Sequence, residues 1–308
     1  MSILKNIKQN LFKECNIAIG NFDGVHKGHR FLLNKLIELS KADNIPSVVF
    51  SFYNHPLIYI NKLKTYYITE PDEKLEIIEN AGVDYIISPF FDDYFKNMDK
   101  KEFILFLIKN YNPKRIIVGE NFNFGYQRKG QAEDILDYFK ENAIIIKPVE
   151  INGNRISSSK IRQYLREHNI KHANLFLGYN YFVQGIVKKG NMLGNQLGVP
   201  TLNIENNQSG KLVPFPGVYI TKTHIDNEIY SSITNIGGAP TINFEKDDKI
   251  ETYVFDKKLE NMYNKKIKVE FLEFLREERK FEDLNELRIN MMKDIENAKK
   301  IITNWENT

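Results

Sequence analysis

Gly20-Asn21-Phe22-Asp23-Gly24-Val25-His26-Lys27-Gly28-His29-Arg30 is the stretch that decides the fold of the first half of the chain. A short apolar run, Asn16-Ile17-Ala18-Ile19, precedes it, and Phe31-Leu32-Leu33-Asn34-Lys35-Leu36-Ile37 follows with helical spacing. The order is strand, glycine-rich turn, helix start. Glycines let a backbone approach a ligand closely, and a helix N-terminus offers free N–H groups and a positive dipole end to phosphate. His26 and His29, three apart, fall on one face of the first helical turn. Two imidazoles there are placed to donate to phosphate oxygens and to stabilise charge on a phosphorus undergoing transfer. The competing reading, a tight turn with helix-capping side chains, explains single residues but not the whole eleven-residue string.

Working outward, the first half repeats this strand-then-helix alternation. The spacing predicts strands at 17–20, 47–52, 85–88, 115–119 and 143–149, and helices at 27–41, 72–81, 100–110 and 131–141. Ile- and Val-rich strands separated by helices imply a parallel sheet covered on both faces, an α/β Rossmann-like arrangement with ligands at the carboxyl ends of the strands. Segments 20–29, 52–56 and 119–130 each follow a strand, so they are expected to converge. Ile156-Ser157-Ser158-Ser159-Lys160-Ile161-Arg162 adds three hydroxyls, N–H groups at a helix start and an arginine one turn in, a set suited to a triphosphate. A serine N-cap on a surface helix is the plainer alternative.

The pattern changes near residue 175, giving expected domains of 1–174 and 175–308. Strands are expected at 181–188, 217–224, 228–234, 250–255 and 267–275 without intervening helices, which points to a small antiparallel β-barrel. One long helix closes the chain, its stripe being Leu284, Leu287, Met291, Ile295, Ala298 and Ile302. Between the first two strand regions lies a glycine-rich loop with Gly190, Gly194 and Gly198, then Pro200-Thr201-Leu202-Asn203. Thr201 and Asn203 alternate on an extended segment, so a hydroxyl and a carboxamide oxygen share one side. That donor pair suits Mg²⁺, which keeps several waters and takes the rest from nucleotide phosphates.

The 308 residues leave room for two cores, and 42% hydrophobic with 27% charged residues is ordinary for a globular protein. A net charge of +3, with both signs mixed along the chain, argues against nucleic acid as a partner. Cys15 stands alone, which excludes a disulfide framework and a cysteine metal site. No apolar run reaches the roughly 20 residues that span a bilayer, and the first residues lack the apolar core of a signal peptide. A soluble protein of the reducing cytoplasm, with no membrane partner, is expected.

Both halves carry a resemblance. The 20–29 turn with Ile156–Arg162 resembles the nucleotidyltransferases with a His-x-Gly-His turn, and more narrowly the FMN adenylyltransferase module of bacterial bifunctional riboflavin kinase/FAD synthetases. The resemblance implies in-line attack by the FMN phosphate on the α-phosphorus of ATP, releasing pyrophosphate and giving FAD. It makes Gly20, Phe22, Asp23, Gly24, His26, His29, Ser157, Ser158, Ser159 and Arg162 the ATP ligands, with both histidines catalytic. Asn54, His55 and Asn121 fall in loops assigned to the flavin. Here Asn121 and Asn123 stand where an acid and often an arginine are usual, and Asn54 stands for a proline. The later loop is similar to the riboflavin kinase signature, followed in order by 216–219, 235–237, 240–241, 251–253 and 275–281. That similarity implies ATP on Gly190, Gly194, Gly198, Thr201 and Asn203, Mg²⁺ on the last two, and Glu251 as the base for the riboflavin 5′-hydroxyl. Arg276 and Glu278 fall in the flavin-contacting segment. From pattern alone, Glu251 is equally well an outward residue between Ile250 and Thr252.

The expected function is phosphorylation of riboflavin to FMN with release of ADP, then adenylylation of FMN to FAD. Two rivals stand beside it: a kinase with a weakened adenylyltransferase half, and a flavin- or nucleotide-binding regulator without turnover.

Overall fold

The computed structural model describes residues 2–4, 11–63, 66–189, 197–206, 210–237, 249–257 and 261–306. They form two compact units, Met1–Ser158 and Ser159–Thr308. Ser158 ends the first unit, and the rest of the helix Ser158–Arg166 goes with the helix Ile170–Leu177 into the second, so this division falls earlier than residue 174.

The first unit is a six-stranded, wholly parallel sheet. Its strands are β1 (Ser2–Leu4), β2 (Cys15–Ile19), β3 (Ser47–Phe50), β4 (Tyr85–Ile87), β5 (Pro113–Gly119) and β6 (Ala143–Ile146), in the order β1-β4-β3-β2-β5-β6. All five residues of β2 and all four of β3 are buried, so both faces of the sheet must be covered. Alternation sends successive side chains to opposite faces. Ala18, Val49, Ile86 and Ile117 pack with Leu32, Leu33 and Leu36 of α1 (Lys27–Asp43), while Ile17, Ile19, Val48 and Phe50 form the other core. Leu75 and Ile78 of α3 (Pro71–Asn80) join the first face, and Phe103, Leu107 and Tyr111 of α5 (Lys100–Tyr111) join the second.

The chain runs from β2 outward through β3, then returns to β5 on the other side of β2. The switch point therefore lies between β2 and β5, where a crevice opens at the carboxyl edge. Two short helices, α2 (Pro56–Asn61) and α4 (Asp93–Asn97), lie between the elements that the spacing predicts. The helix expected at 131–141 is instead three short turns over 132–142, the last starting at Lys140 with φ +47°.

In the second unit α6 (Ser158–Arg166) and α7 (Ile170–Leu177) precede a closed antiparallel barrel. Its strands are β7 (Phe182–Lys188), β8 (Leu202–Glu205), β9 (Gly217–Ile225), β10 (Glu228–Gly237), β11 (Lys249–Val254) and β12 (Lys266–Arg276), in the order β7-β8-β11-β10-β9-β12. Pairing of β12 with β7 closes it. Strand β8, too short to announce itself in the sequence, turns the Thr201–Asn203 segment into part of the wall. Thr221, Thr223, Ser232, Thr234 and Thr252 are fully buried and bonded hydroxyl to hydroxyl at 2.8–2.9 Å. Their alternate neighbours Ile220 and Ile233 pack under α8 (Leu284–Glu306) with Ile295 and Ala298. Leu284, expected in that stripe, is half exposed, and Asp294 takes a buried place on the helix.

A Cβ on Gly185 of β7 would lie 2.5 Å from the Glu205 carbonyl and from the Ile204 side chain. Gly185→Ala is expected to push β8 off β7 and destabilise the barrel by about 1–3 kcal/mol, read as a lowered denaturant midpoint.

Candidate active sites

The turn after β2 is held open by local bonds rather than by bulk. His26 is the N-cap of α1, and its Nδ1 accepts the His29 backbone N–H at 3.2 Å. That bond fixes the neutral His26 tautomer with its proton on Nε2, leaving Nε2–H as a donor. The His26 and His29 rings stack with centroids 3.6 Å apart and planes 11° off parallel, and the buried Phe22 ring meets His29 edge-on at 5.2 Å. A Cβ on Gly28 would come 3.2 Å from the His26 ring, so glycine there gives the imidazole its room. His29 Nδ1 is out of water and has no hydrogen-bond partner. Burial, the stacked His26 and the Lys74 cation hold His29 well below the ordinary histidine pKa. Two protonated rings at this spacing would repel.

Asp23, expected on the nucleotide, is buried. Its Oδ1 accepts the Ile68 and Thr69 backbone N–H groups at 3.0 and 3.1 Å, while Gly24 N–H donates to Thr69 Oγ1 at 2.9 Å. The aspartate thus ties the turn to the start of α3. Gly20 N–H donates to the Phe50 carbonyl and Ser51 Oγ to the Asn21 carbonyl, so the loops after β2 and β3 run together. Ser158 Oγ donates to the Asp23 carbonyl at 2.9 Å and Ser157 is half-buried. Ser159 is exposed on α6 and Arg162 buried one turn further on.

Asn54 is bonded to the loop after β4, giving Nδ2–H to the Phe91 carbonyl and accepting the Phe91 N–H on Oδ1. His55 caps α2, accepting the Leu57 N–H on Nδ1. Asn121 is exposed, and its carbonyl accepts from Asn123 Nδ2 at 2.7 Å. Gly125, with φ +72° and a Cβ position 2.8 Å from Lys100 N, seats that loop against α5. Lys74, which the sequence reading passed over, is buried on α3 with Nζ donating to the Phe52 carbonyl at 2.5 Å.

In the barrel the residues assemble by register. Asn203 on β8 pairs with Glu251 on β11, which pairs with Asn235 on β10. Directly opposed residues point to one side of a sheet with Cβ atoms about 4.5–5.5 Å apart, so the three form a polar row on the outer wall. Asn235, quoted in a motif but given no role by the sequence, is its third member. Only knowledge of the strand pairing could have found it. Thr201, two residues before Asn203, faces the same side. All four are half-buried, and no hydrogen bond among the described residues engages their side chains. Half-buried polar groups without partners are what a ligand site leaves open. Hard oxygen donors from Thr201 and Asn203 fit a magnesium ion. A Cβ on Gly237 would lie 2.8 Å from Glu278 Oε1 and 3.6 Å from Asn235 Nδ2, which brings the Glu278 carboxylate to the same wall.

Arg276 stands at the end of β12 with its guanidinium committed. Nε bonds Asp294 Oδ1 at 2.9 Å and Nη2 bonds Oδ2 at 2.6 Å, a fork that ties the strand to α8 and frames segment 277–283. Gly198 sits in an exposed turn at φ +75°. Gly190 and Gly194 lie outside the described residues.

Comparison with known proteins covers both units. A family model described as FAD synthetase matches residues 8–160, and one described as riboflavin kinase matches 177–302. The bifunctional riboflavin kinase/FMN adenylyltransferase of Buchnera aphidicola (subsp. Acyrthosiphon pisum) is 33% identical over 306 residues, 96% of either chain. That of Bacillus subtilis is 31% identical over 94% of this chain and 92% of its own. A crystal structure described as a macrolide-efflux protein from Streptococcus pneumoniae superposes with a TM-score of 0.84 at 29% identity, covering 97% of this chain and 98% of that one. With relatives of this identity along nearly its whole length, the chain belongs to the bifunctional riboflavin kinase/FMN adenylyltransferase family.

Proposed function

We propose that the chain makes FAD from riboflavin in two ATP-dependent steps, one in each half of the chain. The second half phosphorylates riboflavin to FMN and releases ADP; the first joins FMN to the adenylyl group of ATP and releases pyrophosphate. What supports the reading is a cluster of polar groups in each half of the chain. A stacked histidine pair stands at a glycine-rich helix start, and a half-buried row of Asn203, Glu251 and Asn235 stands beside Thr201. The efflux description of the pneumococcal structure contributes a fold and nothing else.

In the adenylyltransferase half, 1–174, the backbone N–H groups of the 20–24 turn and His26 Nε2–H meet the ATP phosphates. His29 faces the same charge, and Ser157 and Ser158 add to the phosphate contacts. The attacking FMN phosphate is already an anion, so the half needs positioning and charge stabilisation rather than a base. Asp23 shapes the turn. In the kinase half, 175–308, Glu251 accepts the proton of the riboflavin 5′-hydroxyl as its oxygen attacks the γ-phosphorus. Thr201 and Asn203 would hold Mg²⁺, which when bound would neutralise charge on the transferred phosphate. Asn203 and Asn235 flank Glu251 across the strand pairing. Arg276 acts on the flavin through segment 277–283, and Glu278 meets it directly. The single cysteine, Cys15, has its thiol pushed up to about 12 by burial, as suits a protein of the reducing cytoplasm.

The test is incubation of the purified chain with riboflavin, ATP and Mg²⁺, resolving flavins by chromatography over time. FMN followed by FAD is expected. FMN alone would mean an inactive first half, and unchanged riboflavin would leave a binding protein.

A further inference from the structure

Lys74 is a cation placed where water barely reaches. It lies one turn into α3 and is 5% exposed. An ammonium carries three donors, yet among the described residues its one hydrogen-bond acceptor is the Phe52 carbonyl, at 2.5 Å. Burying an ammonium with so few partners is costly, and such groups persist where their charge is used.

Its surroundings say where. The Phe52 carbonyl belongs to the loop after β3, which runs beside Gly20 and Asn21. Asp23 binds the two residues before Glu70, the N-cap of α3, so the helix bearing Lys74 is fastened to the glycine turn itself. Four charged or titratable groups meet there: the Asp23 carboxylate and the His26 and His29 rings from the turn, and Lys74 from α3. Burial brings the Lys74 pKa to about 8 and Asp23 opposes that shift, while the Lys74 charge joins burial and His26 in lowering His29.

We propose that Lys74 is a positioning residue for adenylyl transfer: fixed under the turn by the Phe52 carbonyl, its ammonium sets the charge state in which His29 meets the phosphates and adds positive potential to the anion site. This rests on the adenylyltransferase reading of the first unit. With Lys74 charged, His29 stays a neutral donor until a phosphate arrives. Incoming negative charge then favours a proton on the pair at the moment when charge must be stabilised.

The test compares full-length wild type with Lys74→Gln and Lys74→Met. Glutamine keeps an N–H for the Phe52 carbonyl and removes the charge; methionine removes both. Three quantities are read: the rate of FAD formation from FMN against pH, FMN formation from riboflavin, and the His29 ring titration by NMR, assigned with His29→Asn. Losing a nearby cation raises the His29 pKa, so the ring protonates at higher pH. Both variants should therefore show the His29 titration moving to higher pH. The rate at pH 7 should fall roughly tenfold, with FMN formation unchanged as the check on folding. A Gln variant with wild-type FAD formation and an unmoved His29 titration overturns the proposal and leaves Lys74 a loop anchor. A wild type that forms no FAD overturns the function reading instead, and with it the catalytic part of this one; the His29 titration still decides the electrostatic part.

Discussion

Glu251→Gln is expected to lower FMN formation by about 10²–10⁴-fold while FAD formation from supplied FMN continues at the wild-type rate. The substitution keeps the size and polarity of the side chain and removes its negative charge and its capacity to accept a proton. Glu251 sits on β11 between Asn203 and Asn235, and its immediate neighbours Ile250 and Thr252 are buried on the other face. The barrel therefore has no structural use for the carboxylate, and thermal unfolding of the variant should match wild type. Riboflavin and ATP should bind with little change, so the loss should appear in kcat rather than KM. Glu251→Asp, which keeps the base but withdraws it by one methylene, should recover part of the rate. Equal loss of both activities would place Glu251 in the fold, and loss of neither would make it the outward wall residue that the strand alternation alone allows.

Much of this arrangement is legible in the sequence, and the illegible parts share a cause. Runs such as Asn16–Ile19 and Ser47–Phe50 name their strands because burial on both faces demands uninterrupted apolar residues. Strand β8 offers four residues, Leu202–Glu205, with one alternation, and only its pairing to β7 and β11 defines it. Helices α2 and α4 have six and five residues, held by the His55 and Asp92 caps rather than by a periodic face. Site residues divide the same way. His26 and His29 are three apart in one turn, so spacing alone brings them together. Asp23 and Arg276 look like ligands in a motif, yet their partners, Ile68–Thr69 and Asp294, lie 45 residues or so away in the first case and on another element in the second. Lys74 follows Asp72 and Glu73 in what reads as a solvated helix face; its burial is a tertiary fact.

His29→Ala is expected to lower FAD formation by about 10²–10³-fold and to leave riboflavin phosphorylation intact. The histidine pair invites comparison of its members, and the geometry makes His29 the cleaner subject. His26 caps α1, so His26→Ala removes a helix cap worth about 1 kcal/mol along with any catalytic contact. In His29→Ala the backbone N–H that bonds His26 Nδ1 remains, and a ring whose Nδ1 lacks a partner is gone. The variant should fold at least as well as wild type at neutral pH. It should also be less acid-sensitive. Because the folded His29 pKa lies below its ordinary 6.5, the unfolded chain takes up a proton first. Wild type therefore keeps its full stability above about pH 6.5 and loses part of it as pH falls toward the folded value. Denaturant midpoints at pH 7 and pH 5 should converge on this difference, with His29→Ala losing less than wild type over the interval. A variant that loses FAD formation and gains acid tolerance ties both to one ring, whereas full FAD activity would take His29 out of the chemistry and leave His26 Nε2–H with the turn's backbone to meet the phosphates.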